Sequence, residues 1–330
     1  MEALLFSLGA VSPIVLMVVI GYILKKLGLI SETFAKEANK LVFKLFMPVM
    51  LFTKIYAITD LKGMGFEYII FVLVFLLLIF IISVLTINKI TKVNERKGVL
   101  IQAIFRSGYS LIGIPVSISL YGEQGGQAAA LLSACVIPLF NVLAVICLAM
   151  YGDEIEKKKT SIKEILLNII KNPLIIGIGL AVICIGIRSV FNKFDISFRL
   201  SDIEPLFIVL NYIGGLAIPV ALLVLGAQFE FSAVKALKRE IIAGTTIRTV
   251  IVPLITLCTA YFFFNDIFTA AHFATFVAVF ATPVAVPSVP MVQESGGDVV
   301  LAGQLVVWST LVSAFTIFIT TFLLSLGGIF

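Results

Sequence analysis

Long runs of apolar residues dominate the chain, and short polar stretches separate them. A run of about 20 apolar residues has the length of a helix that crosses the hydrocarbon core of a bilayer. The pattern therefore predicts an all-α polytopic membrane protein with ten transmembrane helices. The predicted helices, numbered 1 to 10 in chain order, cover residues 3–24, 39–58, 66–88, 98–121, 127–151, 172–190, 205–228, 240–264, 268–293 and 298–326.

The chain also repeats part of its own pattern after 171 or 172 residues. Pro48-Val49 recurs as Pro219-Val220, Pro115 as Pro287, and Gly125-Gly126 as Gly296-Gly297. Because five helices per repeat is an odd number, the second half is predicted to lie inverted in the membrane relative to the first. The predicted units are a first repeat over 1–151, a cytoplasmic linker over 152–171 and a second repeat over 172–330.

Composition and charge agree with a membrane protein. Apolar residues make up 60% of the chain and charged residues only 13%, whereas soluble domains average about 25% charged residues. The loops on one side of the predicted helices carry sixteen Lys and Arg residues, and those on the other side carry five. Since basic loops stay on the cytoplasmic side, both termini are predicted to lie outside a cytoplasmic (plasma) membrane. The net charge of +5 thus reflects topology, and no nucleic-acid partner is expected.

Glycine and proline interrupt two predicted helices, the fourth at Gly108, Gly113 and Pro115 and the ninth at Pro283, Pro287 and Pro290. Proline removes a backbone donor and clashes with the preceding turn. Broken helices at equivalent repeat positions predict a substrate site where helices 4 and 9 cross. The half-helices after the breaks would direct their N-termini at one point, which suits a carboxylate or another small anion.

Polar side chains near the breaks complete the predicted site. Arg106 and Arg248 lie deep enough to neutralise an anion, or else to snorkel or to bond backbone carbonyls, and our hypothesis assigns the anion to Arg106. The other substrate-binding candidates are Ser107, Gly108, Tyr109, Ser110, Gly113, Pro115, Asn141, Asn211, Thr282, Pro283, Pro287 and Ser288. Asn141 and Asn211 are expected to face the protein interior, since an amide is costly in lipid. Backbone capping and helix–helix hydrogen bonds are alternative roles for the polar candidates.

Four stretches carry a family resemblance. They are NKLVFKLFMPVMLF at 39–52, FRSGYSLIGIPVSISLYGEQGG at 105–126, GLAIPVALLVLGAQ at 215–228 and ATPVAVPSVPMVQESGGDVVLAGQLVVWSTLVS at 281–313. The chain resembles the auxin efflux carrier family and, more distantly, the bile acid:sodium symporter superfamily. The resemblance implies a scaffold of helices 1, 2, 6 and 7 and a moving transport domain of helices 3–5 and 8–10. Gly108 stands where that family usually has a substrate-contacting Asn, so no particular substrate carries over.

Pattern and resemblance together predict a secondary active transporter for a small organic anion, and the resemblance implies an elevator-like movement. No cofactor or metal is expected. H⁺ and Na⁺ are candidate coupling ions, and transport without a coupling ion stays an alternative. Gln293 and Glu294 are candidate coupling residues, because the symporters bind sodium through Glu and Gln near the crossing. Alternatives are a sodium-coupled bile-acid-type symporter and a transporter-like membrane sensor.

The sequence has neither H-E-x-x-H nor a Walker A pattern, so no enzyme is expected. Besides the bilayer, a homodimer through the scaffold helices is compatible with the sequence.

Overall fold

The computed structural model describes residues 2–57, 66–151 and 171–330, apart from the side chains of residues 2–12 and 14. The described part is built from helices, without a β-strand. The helices are α1 (Glu2–Lys26), α2 (Glu32–Leu41), α3 (Met47–Tyr56), α4 (Phe66–Ile90), α5 (Asn94–Phe105), α6 (Ile114–Tyr151), α7 (Pro173–Lys193), α8 (Glu204–Gly215), α9 (Ala217–Gln228), α10 (Ala233–Ala236), α11 (Lys238–Thr246), α12 (Val252–Phe264), α13 (Ala270–Phe280), α14 (Ser288–Glu294) and α15 (Val299–Leu326).

Several of these helices join into segments that are as long as a membrane is thick. Six segments of the described chain are long and apolar enough to cross one: Phe66–Ile90, Tyr109–Tyr151, Pro173–Lys193, Glu204–Gln228, Lys238–Phe264 and Val299–Leu326. The all-helical membrane fold predicted from the apolar runs is confirmed at this level. Ten crossings and an inverted repeat stay predictions, and the linker predicted over 152–171 lies outside the described residues except at its last position.

The long helix α6 contains a sharp bend that separates two predicted helices. Gly122 has a φ of +56°, in the left-handed region that glycine adopts without a steric penalty. Across the bend, the hydroxyl of Ser117 donates a hydrogen bond of 2.8 Å to the carbonyl of Gly125. The bend therefore falls where the sequence pattern ends one predicted helix at residue 121 and begins the next at residue 127.

One group of helices, α1–α3 with α7–α9, packs through glycines at close crossings. A Cβ atom added at Gly226 of α9 would lie 2.0 Å from the carbonyl oxygen of Val18 in α1. A Cβ atom added at Gly177 of α7 would lie 2.6 Å from the carbonyl oxygen of Pro48 in α3. Both backbones approach so closely that only glycine fits, which is the usual way for helices in lipid to gain packing contacts.

A second group consists of α4–α6 and α11–α15, and aromatic packing holds part of it together. Phe71 of α4 lies against Phe264, Phe268 and Phe276, with ring centroids 5.8, 5.1 and 4.9 Å away. These edge-on and tilted contacts join α4 to α12, to α13 and to the connection between them. Offset and edge-to-face ring pairs of this kind add stability beyond the apolar area that they bury.

Ion pairs connect helices of this second group at the predicted cytoplasmic side. Arg96 of α5 contacts Glu240 of α11 and Asp298 at the start of α15, each at 3.0 Å. Asp298 also caps α15, because its carboxylate accepts a hydrogen bond of 2.9 Å from the backbone of Leu301. Arg96 thus connects the N-terminal ends of α5, α11 and α15.

Candidate functional site

Two interrupted helices meet inside the second group of helices. The chain leaves helical geometry at residues 106–108, between α5 and a short π-helix (Tyr109–Gly113) that leads into α6. It does so again at residues 281–287, between α13 and α14. The two extended segments pair through an antiparallel bridge between Ser107 and Val284. The backbone N–H of Gly108 donates a hydrogen bond of 2.7 Å to the carbonyl of Pro283. The interruptions expected from glycine and proline therefore lie against each other.

The pairing satisfies backbone groups that the breaks leave without helical partners. Proline has no N–H, so a helix interrupted by proline leaves carbonyls without donors. The Val284 N–H donates to the hydroxyl of Ser309 at 3.0 Å. Thr282 is fully buried, and its hydroxyl donates to the carbonyl of Ala278 at 2.8 Å. Thr282 thus takes the backbone-capping role that the sequence analysis gave as an alternative to substrate contact.

Arg248 holds the C-terminal ends of both broken helices. Its side chain is completely buried. At the end of α13, it donates hydrogen bonds of 2.6 Å to the carbonyl of Val279 and 2.9 Å to that of Thr282. At the end of α5, it donates to the carbonyls of Ile104 at 3.2 Å and Phe105 at 3.4 Å. A cation suits this place, because unpaired carbonyls give a helix C-terminus a partial negative charge. Arg248 therefore bonds backbone carbonyls, the last of the three roles that the sequence left open.

Arg106 has a different environment. It is 4% exposed, and one guanidinium nitrogen donates a hydrogen bond of 2.9 Å to the side-chain oxygen of Asn141. Another nitrogen contacts the sulfur of Met291. Asn141 in turn donates 2.7 Å to the carbonyl of Ile137, which orients its oxygen towards the arginine. Among the described residues, Arg106 forms no ion pair with a carboxylate, so its buried charge has only neutral partners.

A small cavity adjoins Arg106 and both extended segments. Its volume is about 50 Å³, which is room for a few water molecules or for one carboxylate group. Arg106, Ser107 and Asn141 are polar residues of its wall, and Val284 to Pro287 line the side formed by the second break. Met50 and Leu51 of α3 and Ile218 of α9 close it from the first group of helices. The hydroxyl of Ser107 is buried without a hydrogen-bond partner among the described residues.

The structure brings about half of the predicted substrate-binding residues to this cavity. Those in its wall are Arg106, Ser107, Gly108, Tyr109, Ser110, Asn141 and Pro287. The residues outside its wall are Gly113, Pro115, Asn211, Thr282, Pro283 and Ser288. Although Tyr109 lines the cavity, its hydroxyl already donates a hydrogen bond of 2.6 Å to the carbonyl of Ala129.

The residues outside the cavity wall have other surroundings. Gly113 permits close packing, since an added Cβ would lie 2.5 Å from the carbonyl oxygen of Ala278 in α13. Pro115 is exposed near the start of α6. Ser288 is buried at the start of α14, and its hydroxyl lacks a partner among the described residues.

The expectation that Asn211 faces the protein interior is wrong. Its side chain is exposed on α8, whereas the same helix buries Gly214 against Met50 of α3. The physical reason is that α8 is apolar on nearly every side, so its sequence does not reveal which side packs against protein. Packing through Gly214 leaves Asn211 on the outer surface.

The predicted coupling residues lie in a separate polar cluster, outside the cavity wall. Glu294 pairs with Lys44 at 3.6 Å. Gln293 accepts a hydrogen bond of 2.8 Å from the side-chain amide of Asn39, which also donates 3.1 Å to Gln228. The described residues contain no group of three or more His, Cys, Asp or Glu side chains suited to a metal ion. The cluster joins α2, α9 and α14.

Sequence reasoning missed Asn39 and Gln228, and it left the role of Arg248 open. Asn39 precedes Asn211 by 172 residues, which is the offset of the repeat. This equivalence to a candidate residue could have identified Asn39 from the sequence. No comparable signal marks Met291, which contacts Arg106 through a sulfur atom that only the folded chain brings near.

Comparison with known proteins supplies the family. A family model described as "Membrane transport protein" matches residues 6–321. An uncharacterized transporter of Methanocaldococcus jannaschii is 27% identical over 237 residues, which cover 70% of this chain and 71% of the relative. An uncharacterized transporter of Methanothermobacter thermautotrophicus is 23% identical over 309 residues, which cover 93% of this chain and 95% of the relative. Because the family model spans nearly the whole chain, this protein belongs to the membrane transport proteins of the auxin efflux carrier family.

Proposed function

We propose that this protein is a secondary active transporter that carries a small organic anion across the cytoplasmic membrane, with the carboxylate of its substrate bound at Arg106. One observation carries the proposal. Arg106 is a buried cation beside a cavity at the meeting point of two interrupted helices, and among the described residues only neutral groups contact it.

The charge of Arg106 lies in a place of low dielectric constant, without an opposite charge from the described residues beside it. A buried ion without an opposite charge costs several kcal/mol relative to water, and membrane proteins keep such groups mainly for function. The amide oxygen of Asn141 lowers this cost only in part, since it carries no net charge. A carboxylate entering the cavity would supply the missing charge, and the unpartnered hydroxyl of Ser107 would offer it another donor.

We further propose alternating access by an elevator-like movement between a scaffold and a transport domain. The proposed scaffold consists of predicted helices 1, 2, 6 and 7, which correspond to α1–α3 and α7–α9, and the remaining helices form the transport domain. This division draws support from the cavity, because Met50, Leu51 and Ile218 line it from the first group and all other wall residues belong to the second. A relative shift of the two groups would enlarge the cavity, whose volume is about 50 Å³. The two inverted repeats, with both termini outside, belong to the same proposal.

The test compares two arginine variants in proteoliposomes. Arg106→Gln removes the charge at the cavity, and Arg239→Gln removes one at the surface, where Arg239 donates to the carbonyl of Lys89 at 2.7 Å. Uptake and counterflow are measured with malate, malonate, lactate and indole acetate. A charge-assisted hydrogen bond is worth about 1.5–3 kcal/mol, so we expect Arg106→Gln to weaken the apparent affinity roughly 10- to 150-fold. Arg239→Gln should match the wild type.

The same assay separates the alternatives. Unchanged affinity and rate in Arg106→Gln would remove the assigned anion site. Binding detected by thermal stabilisation without any flux would favour a membrane sensor. Uptake that needs Na⁺ but not K⁺, and that Glu294→Gln abolishes, would favour a sodium-coupled symporter. That alternative draws on Gln293 and Glu294, although Glu294 is already paired with Lys44.

A further inference from the structure

A groove separates α1 of the first group of helices from α15 of the second group, and we call it the α1–α15 groove. Its volume is about 370 Å³. Residues between Val15 and Tyr22 line it from α1, residues between Val306 and Leu311 line it from α15, and two phenylalanines after α9, Phe229 and Phe231, complete the described wall. The groove therefore lies where the two groups of helices meet.

The α1–α15 groove opens on the outer surface of a membrane-spanning helix. Val19 on α1 and Leu311 on α15 belong to its wall and are 45% and 38% exposed. Because α15 is long and apolar enough to cross a membrane, the opening faces lipid. The described wall presents only apolar atoms, whereas a bound water needs two to four polar partners. The groove is therefore suited to a hydrocarbon chain and not to water.

A positive charge lies next to one wall of the groove. α1 ends with Lys25 and Lys26, and the ammonium group of Lys26 lies 5.6 Å from the ring centroid of Tyr22, which lines the groove. From Tyr22 the wall continues along α1 to Val15, over about 10 Å and away from the basic end of the helix. A phospholipid has the same arrangement, since its anionic phosphate lies at the membrane surface and its chains point inwards. Basic residues at the membrane surface attract anionic lipids.

We propose that the α1–α15 groove binds one hydrocarbon chain of an anionic phospholipid from the predicted cytoplasmic leaflet, with the lipid phosphate beside Lys26. Such a chain would contact both groups of helices, so a movement between them would have to carry the lipid along or release it. Thr310 lines both this groove and the cavity at Arg106, and the lipid would therefore lie one side chain away from that cavity. The inference needs only the position of α1 and α15 in a membrane and does not depend on the substrate.

The chain carries its own probe for this lipid. Trp308 is the only tryptophan in the sequence and lines the groove, and its indole N–H donates a hydrogen bond of 3.0 Å to Gln304. The whole protein is placed in phosphatidylcholine bilayers that contain increasing fractions of a phospholipid with brominated chains, which quench tryptophan fluorescence on contact. We expect brominated phosphatidylglycerol to compete for the site about fivefold better than brominated phosphatidylcholine, as one lysine near the surface predicts. No quenching, or equal competition by the two lipids, would overturn the proposal.

Two pairs of variants separate this site from general contact with lipid. Lys26→Gln should abolish the preference for phosphatidylglycerol, whereas Lys89→Gln, which removes an exposed lysine at the end of α4, should keep it. Val307→Phe narrows the groove from α15 and should reduce quenching by both lipids. Ile319→Phe should leave quenching unchanged, because Ile319 is exposed on the same helix but lies outside the groove wall. Equal effects within either pair would contradict a lipid held in the α1–α15 groove.

Discussion

Replacing Arg248 with methionine should loosen both interrupted helices at once. Methionine keeps much of the buried volume but removes every donor of the guanidinium group. The two shorter hydrogen bonds, 2.6 Å to Val279 and 2.9 Å to Thr282, involve a charged donor and are worth about 1.5 kcal/mol each at the low end. Their loss predicts a destabilisation of about 3 kcal/mol. The longer bonds to Ile104 and Phe105 add to the loss, and removal of a buried charge offsets part of it.

The assay combines thermal unfolding with hydrogen exchange on the purified protein. At roughly 2 °C per kcal/mol, the unfolding midpoint should fall by about 6 °C. Exchange should accelerate in peptides that cover the paired segments, where the Gly108 N–H is bonded to Pro283 and the Val284 N–H to Ser309. Arg248→Lys should give an intermediate loss, since one ammonium group keeps the charge but cannot reproduce the fork of an arginine.

Arg239→Met is the matched control, because Arg239 is exposed and, within the described part of the chain, makes one hydrogen bond, to the carbonyl of Lys89. Surface substitutions usually change stability by less than about 0.5 kcal/mol, so this variant should behave as the wild type. A wild-type midpoint for Arg248→Met, together with unaltered exchange at both interrupted segments, would contradict the role assigned to Arg248.

Two further substitutions test packing and charge elsewhere in the second group of helices. Gly113→Ala places a Cβ 2.5 Å from the carbonyl oxygen of Ala278, and we expect a loss of about 1–3 kcal/mol in thermal unfolding, whereas Gly179→Ala, with no atom within 4 Å, should cause none. Equal midpoints for these two alanine variants would contradict the close crossing. Asp298→Asn keeps a good helix cap but removes the charge 3.0 Å from Arg96, so stability should fall by about 1 kcal/mol and the difference should shrink in high salt. A loss that salt does not change would instead indicate a role in capping alone.

The positions of the helices follow largely from local sequence. The apolar run 66–88 corresponds to Phe66–Ile90, and the run 298–326 corresponds to Val299–Leu326. The interruptions of the helices were also predictable from the sequence, because proline and glycine act on the backbone at the place where they occur. Both effects need only neighbouring residues, so no knowledge of the packed structure was required.

The roles of the two buried arginines were decided by packing. From sequence, Arg106 and Arg248 had the same three roles open to them, as anion partner, as a snorkelling side chain or as donor to carbonyls. In the folded chain, Arg248 reaches carbonyls at two helix ends, while Arg106 bonds Asn141 and lies in a cavity wall. These contacts join residues 31 to 144 positions apart, and no local pattern predicts them.

The side of each helix that faces protein was likewise left to the tertiary structure. Asn141 is buried and Asn211 is exposed, although both are amides within apolar runs. In a soluble protein, the polar side of a helix marks the side that faces solvent. In a membrane the lipid is as apolar as the protein core, so an apolar helix carries no such mark. Sequence alone therefore determined where the chain is helical and where it breaks, and packing determined which side chains meet at the breaks and which face the lipid.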